Sequence, residues 1–120
     1  MDASNLVVVQ GTLSRRSERR TLPSGDELVQ YEVTTRDEAG RADSVPVVWP
    51  SAPARAEFEE GAAVVVAGRV RRRYFRTAGG TASRTEVIAE GVAPAGSKAA
   101  ARLLERAARQ LALPAPCSSG

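Results

Sequence analysis

Residues 62–80 read AAVVVAGRVRRRYFRTAGG, and the alternation within this stretch decides the fold. Its first half, Ala62 to Ala67, is apolar and rich in valine, the composition of a buried strand. The second half is basic and runs to Ala78-Gly79-Gly80-Thr81, a hairpin signal. Successive strand side chains point to opposite faces. Val64, Val66, Gly68 and Val70 therefore share the core face, while Val65, Ala67, Arg69, Arg71, Arg73 and Phe75 share the outer one. Arg72, Tyr74 and Arg76 fall on the other face, beyond the point where a core can cover them. Burying those guanidiniums would cost far more than it gains, so this half is expected to protrude as a hairpin arm.

Working outward, Leu6 to Val9 is a β-branched run that reads as a strand over residues 5–13. Residues 14–22 are polar and arginine-rich, and Leu22-Pro23-Ser24-Gly25 is a turn signal. In ELVQYEVTT (27–35), Val29, Tyr31 and Val33 alternate with Gln30, Glu32 and Thr34, the pattern of a half-buried strand. A third strand covers Ser44 to Trp49; Pro46 places it at an edge or a bulge. Trp49 shares the parity of Val45 and Val47 and is read as structural. Between Pro50 and Gly61, AEFEEG is enough for one or two helical turns with Phe58 inward. A fifth strand follows from Ser83 to Glu90. The expected fold is all-β: a five-stranded Greek-key barrel of the OB type, with a short helical segment between strands three and four.

After Pro94 the composition shifts. KAAARLLERAARQLAL (98–113) consists mainly of strong helix formers, and Ser97 can cap its start. Ala100, Leu103, Leu104, Ala107, Ala108 and Leu111 form one apolar stripe, expected to dock on the barrel or on a second subunit. The expected organisation is a binding domain over 1–96, an amphipathic helix over 97–113 and a disordered tail over 114–120.

The net charge is +3, but residues 1–96 are neutral, with thirteen arginines and thirteen acidic residues. The cations are clustered. Residues 69–84 hold six arginines and no acid, and Arg15, Arg16, Arg19 and Arg20 are interrupted only by Glu18. One-sign patches on a neutral domain suit a polyanion partner. There is no histidine, and the only cysteine is Cys117, so Ser/His/Asp catalysis, an internal disulfide and a cysteine-based metal site are excluded. No phosphate-binding GxxxxGK[ST] loop is present. No enzymatic activity, metal or cofactor is expected. The apolar runs are too short to span a bilayer and the first residues do not read as a signal peptide, so a cytoplasmic location is expected, with no membrane partner.

A row of guanidiniums beside an exposed ring meets the needs of single-stranded nucleic acid: the cations track phosphates and the ring takes a base on its face. Arg69, Arg71 and Arg73 are the candidate phosphate contacts, and Phe75 is the candidate stacking residue. Arg72, Tyr74 and Arg76 are candidates on the reverse of the arm, while Arg15, Arg16 and Arg20 would extend the groove.

The order of motifs adds a resemblance. Asn5-Leu-Val-Val-Val-Gln-Gly-Thr-Leu13, Arg20-Thr-Leu-Pro-Ser-Gly25 and Val33-Thr-Thr35 resemble the opening of the bacterial single-stranded DNA-binding protein family. Glu60-Gly-Ala-Ala-Val-Val-Val-Ala-Gly-Arg-Val-Arg71 and Arg84-Thr-Glu-Val-Ile88 resemble its second half. The likeness covers residues 5–92. It implies an OB fold, a homotetramer with a dimer as fallback, and a nucleoid-associated role in replication, recombination and repair. Phe75 matches one base-stacking aromatic of that family. Two others are replaced by Ser44 and Pro50, a fourth falls near Ala39, and the usual acidic partner-docking tail is absent. The chain thus resembles a divergent or accessory member, leaning on arginine more than on stacking. The alternative is an OB-type interaction or assembly module with weak nucleic-acid binding.

Overall fold

The computed structural model describes residues 5–112. Among these, six strands precede one helix: β1 (Val7–Leu13), β2 (Glu18–Thr21), β3 (Glu27–Arg36), β4 (Ala42–Pro50), β5 (Ala63–Thr77), β6 (Gly80–Pro94) and α1 (Lys98–Ala112). They form one sheet in the order β1-β5-β6-β4-β3-β2, and β1 also pairs with β3, so the sheet closes in a ring. The ladders are antiparallel except for the short parallel contact of β4 with β6 at Val47–Val87 and Val48–Ile88.

The core inside the ring follows the parity of the strands. Val29, Tyr31 and Val33 are buried while Gln30, Glu32 and Thr34 are half-covered, as the alternation of β3 predicts. They meet Leu13, Val47, Val64, Val66 and Val87, and Trp49 and Phe58 pack against this cluster. The Phe58 ring lies 6.4 Å from that of Tyr31. Gly68 is required where β5 crosses β6: a Cβ there would collide with the Ile88 carbonyl oxygen.

Opposite this core, α1 covers the first half of β5 and the end of β6. Ala100 and Leu103 pack on Val65, Ala67 and Ala93. Gly91 leaves room for Leu103, whose Cδ1 would lie 2.7 Å from an added Cβ. Ser97 caps the helix by accepting the Ala100 N–H at 3.1 Å. Only part of the expected apolar stripe is spent this way, since Leu104 and Leu111 stay exposed. Among the described residues no helix is long and apolar enough to cross a membrane.

Four features differ from the sequence reading. The arginine-rich segment after β1 is not all loop: Glu18–Thr21 pairs with Glu27–Gln30 as a sixth strand. Residues 51–62 contain turns and no helix. There, side chains satisfy the backbone. Arg19 donates to the Pro53 carbonyl at 2.8 Å, Tyr31 donates its hydroxyl to the Ala56 carbonyl at 2.6 Å, and Ser17 Oγ accepts the Phe58 N–H at 2.9 Å. Third, β4 lies between β3 and β6 rather than at an edge. Pro46 is tolerated because the ladder to β6 involves only Val47 and Val48. Finally, Val65 and Ala67 belong to the outer face by parity but are buried, because α1 lies on them. The expected tail over 114–120, with Cys117, lies outside the described residues.

One irregularity in β6 matters for the site. Ala67 pairs with Gly91 and Gly68 with Ala89, which leaves Glu90 as an extra residue in β6. Val92 and Ala89 therefore both face the core, and β6 turns Glu86 and Ile88 outward beyond the bulge.

Candidate nucleic-acid interface

The two longest strands outrun the ring. β1 follows β5 only from Ala63 to Gly68. At the next position outward the Asn5 side chain replaces a strand, donating to the Val70 carbonyl and accepting the Val70 N–H, each at 2.9 Å. On the β6 side, contact with β4 ends at Val87. Residues 71–77 and 80–86 then pair with each other alone, from Arg71–Glu86 to Thr77–Gly80 around the Ala78-Gly79 turn. This is the arm that the sequence pattern predicts.

Register aligns the outer face across the sheet. Glu18, Gln30, Val48, Ile88 and Arg69 are successive cross-strand partners through β2, β3, β4, β6 and β5. Further along the arm the paired rungs of the same face are Arg71–Glu86, Arg73–Arg84 and Phe75–Ala82. Arg69, Arg71, Arg73 and Phe75 thus lie in one line, as expected, and the Phe75 ring is 42% exposed. Arg72, Tyr74 and Arg76 occupy the reverse of the arm opposite Thr85, Ser83 and Thr81, and Tyr74 is 66% exposed.

The arginines before β3 divide. Arg15, Arg16 and Arg20 line a polar cleft on the outer face, and Arg73 and Arg84 line its other side. Arg15 leans on Glu32 at 3.4 Å. Arg19 points the other way and is structural: its Nε–H donates to Glu57 at 2.8 Å, and one terminal nitrogen reaches Glu27 at 3.2 Å. The Glu57 hydrogen bond holds its guanidinium pKa above the ordinary value, against the opposing effect of burial. Burial likewise raises the pKa of the Tyr31 phenol.

Two residues of this face were missed by sequence reasoning. In the sequence Arg84 belongs to an acid-free stretch and to the Arg84–Ile88 motif, with no site role read from either, yet its register opposite Arg73 puts it in the cleft. Glu86 is an acid inside the basic face and is only 3% exposed. Its Oε2 accepts from Arg71 at 2.8 Å and lies 3.8 Å from Arg73 Nε. The signal for both was the alternation of β6 with Val87 in the core, which turns Arg84 and Glu86 outward.

Chemically, the face offers cations, one partly exposed ring and three carboxylates, Glu18, Glu32 and Glu86, set among the arginines. Its central strands contribute Gln30, Pro46 and Val48, and the one aromatic among their lining residues, Tyr31, is buried. Among the described residues no group of three or more acidic or cysteine side chains is placed to hold a metal ion. No protein-family model matches the chain, and no curated protein matches it.

Proposed function

We propose that this chain is a non-sequence-specific single-stranded DNA-binding protein, built on an OB-type fold and without catalytic activity. The observation that carries the reading is the continuous outer line of Arg69, Arg71, Arg73 and Phe75, faced across a cleft by Arg15, Arg16 and Arg20. Guanidiniums at two-residue spacing follow a phosphate chain, and a partly exposed ring at the end of their row stacks on a base. Duplex DNA keeps its bases stacked on one another, so the ring selects an unpaired strand. A ring-closed sheet with a protruding hairpin, and the family resemblance of residues 5–92, support the same reading. The biological setting it implies is replication, recombination and repair in the cytoplasm, near the nucleoid.

Self-association belongs to this proposal. Among the described residues β1 pairs with β3 only at Thr12 and Leu13, so its edge from Val7 to Gly11 has no described strand beside it on that side. Such edges seek cover. A homotetramer is expected, with a dimer as fallback, and a monomer in light scattering at tens of micromolar (about the range in which weak subunit contacts are populated) would overturn it. The second reading, an assembly module with weak nucleic-acid binding, is favoured by the non-aromatic centre of the face.

Titration of a fluorescent oligo-dT and of an equal-length duplex, at two salt concentrations, decides between them. Preference for the single strand, with affinity falling as salt rises, supports the proposal. Equal affinity for both ligands removes it.

A further inference from the structure

Glu86 is the one acid embedded in the arginine line, and its carboxylate lies against two guanidiniums. It is 3% exposed, whereas the Arg71 and Arg73 side chains are about half exposed, at 45% and 52%. A buried carboxylate cannot be left without its cations except at a large desolvation cost. Arg71 therefore cannot swing away from Glu86 to meet a phosphate; it must bind with its remaining N–H groups while tethered. Arg84, opposite Arg73 on the same face, adds a third cation to this cluster.

We propose that Glu86 is a built-in counter-charge for the arm: it holds Arg71 and Arg73 in place and offsets one unit of their charge, thereby setting how tightly and how salt-dependently the face grips a phosphate chain. The inference rests on the nucleic-acid reading above. Its consequence is a face that is ordered by an acid at the expense of affinity, so that the bound strand is readily released. Glu86 is a positioning residue, acting through the two arginines.

The test compares Glu86→Gln, Glu86→Asp, Arg71→Gln and the double variant Arg71→Gln/Glu86→Gln with the wild type, all titrated with oligo-dT. Glutamine keeps the size of the side chain and an acceptor for Arg71 but removes the charge. Glu86→Gln is expected to bind more tightly and to steepen the plot of log affinity against log salt by roughly 0.7, the counterion release of one phosphate on a single strand. Its advantage over the wild type should shrink by roughly 2.6-fold between about 50 and 200 mM salt. Glu86→Asp, which keeps the charge, should keep the wild-type slope even if its melting temperature falls. A merely structural role would make the two variants alike. Arg71→Gln alone should bind more weakly, and adding Glu86→Gln should restore most of that loss. Because the double variant removes both charges together, it remains informative if Glu86→Gln alone does not fold. Wild-type binding with an unchanged slope in Glu86→Gln, or a double variant as weak as Arg71→Gln, overturns this inference alone. Failure of the wild type and every variant to bind oligo-dT overturns it together with the proposed function.

Discussion

Phe75→Ala separates binding from packing at the outer end of the arginine line. The ring is 42% exposed and faces Ala82 on the neighbouring strand, outside both buried clusters. A little over half of its surface is covered, and full burial of such a side chain is worth about 1.5–3 kcal/mol. The loss of folding stability should therefore be about 1 kcal/mol, which lowers Tm by roughly 3–8 °C in a chain of this size. The loss in binding should be larger. A stacked base is worth about 1–3 kcal/mol, so affinity for oligo-dT should fall about 5- to 150-fold. The phenyl group carries no charge, so the salt slope should stay at its wild-type value. Fluorescence anisotropy and a thermal melt on one preparation measure both quantities. Unchanged affinity with a Tm loss matching a cavity of about 3–5 kcal/mol would refute the reasoning, because Phe75 would then be packed rather than presented.

Arg69→Ala should weaken binding to homopolymeric oligonucleotides of every base alike and flatten the salt slope by roughly 0.7, as expected for a lost phosphate contact; base-dependent losses would contradict that role. Leu103→Ala should cost about 2–5 kcal/mol in urea unfolding, since the side chain is buried on Gly91, yet leave oligo-dT affinity within about threefold. A collapse of binding without loss of stability would place α1 in the groove. Tyr31→Phe should cost about 1–3 kcal/mol at neutral pH by leaving the Ala56 carbonyl without its donor. Burial raises the folded-state pKa of Tyr31, so the unfolded chain ionises first and this contribution to stability is lost as pH rises above about 10. Urea melts at increasing alkaline pH should therefore show a shallower decline in Tyr31→Phe than in the wild type.

What was legible in the sequence is what depends on local alternation. The parity of residues 29–34 and of Val64, Val66, Arg69, Arg71 and Arg73 placed core and outer residues, because each strand has one face inside the ring. Val70, given to the core face by the same parity, is exposed because β5 has there outrun the ring. Ser97 and the Ala/Leu/Arg run likewise announced α1. The missed features depend on partners distant in sequence. Glu18–Thr21 has no apolar alternation and becomes a strand because β3 offers it an edge. The stretch around AEFEEG has helix-forming residues, but Arg19, Tyr31 and Ser17 take its backbone groups first. Arg71 and Arg73 read as free cations until the fold brings Glu86 beneath them. The burial of Val65 and Ala67 was hidden because it requires knowing where a helix more than thirty residues later comes to rest.

The single unpaired residue at Glu90 gives β6 two independent reading frames. On one side of it the strand answers to α1 through Gly91 and Ala93; on the other it answers to the cleft through Glu86 and Arg84. Deleting Glu90 would bring Ala89 and Gly91 together opposite Gly68 and Ala67, their present partners, so every side chain would keep its face and only the local bend of the bulge would be lost. Length changes near the Ala78-Gly79 turn carry a different constraint. Adding one residue to each strand of the arm extends it by a rung and leaves every existing pair in register, whereas adding to one strand alone forces a new bulge or a slip. The reach of the arm can thus change in matched steps without altering any pair nearer the core.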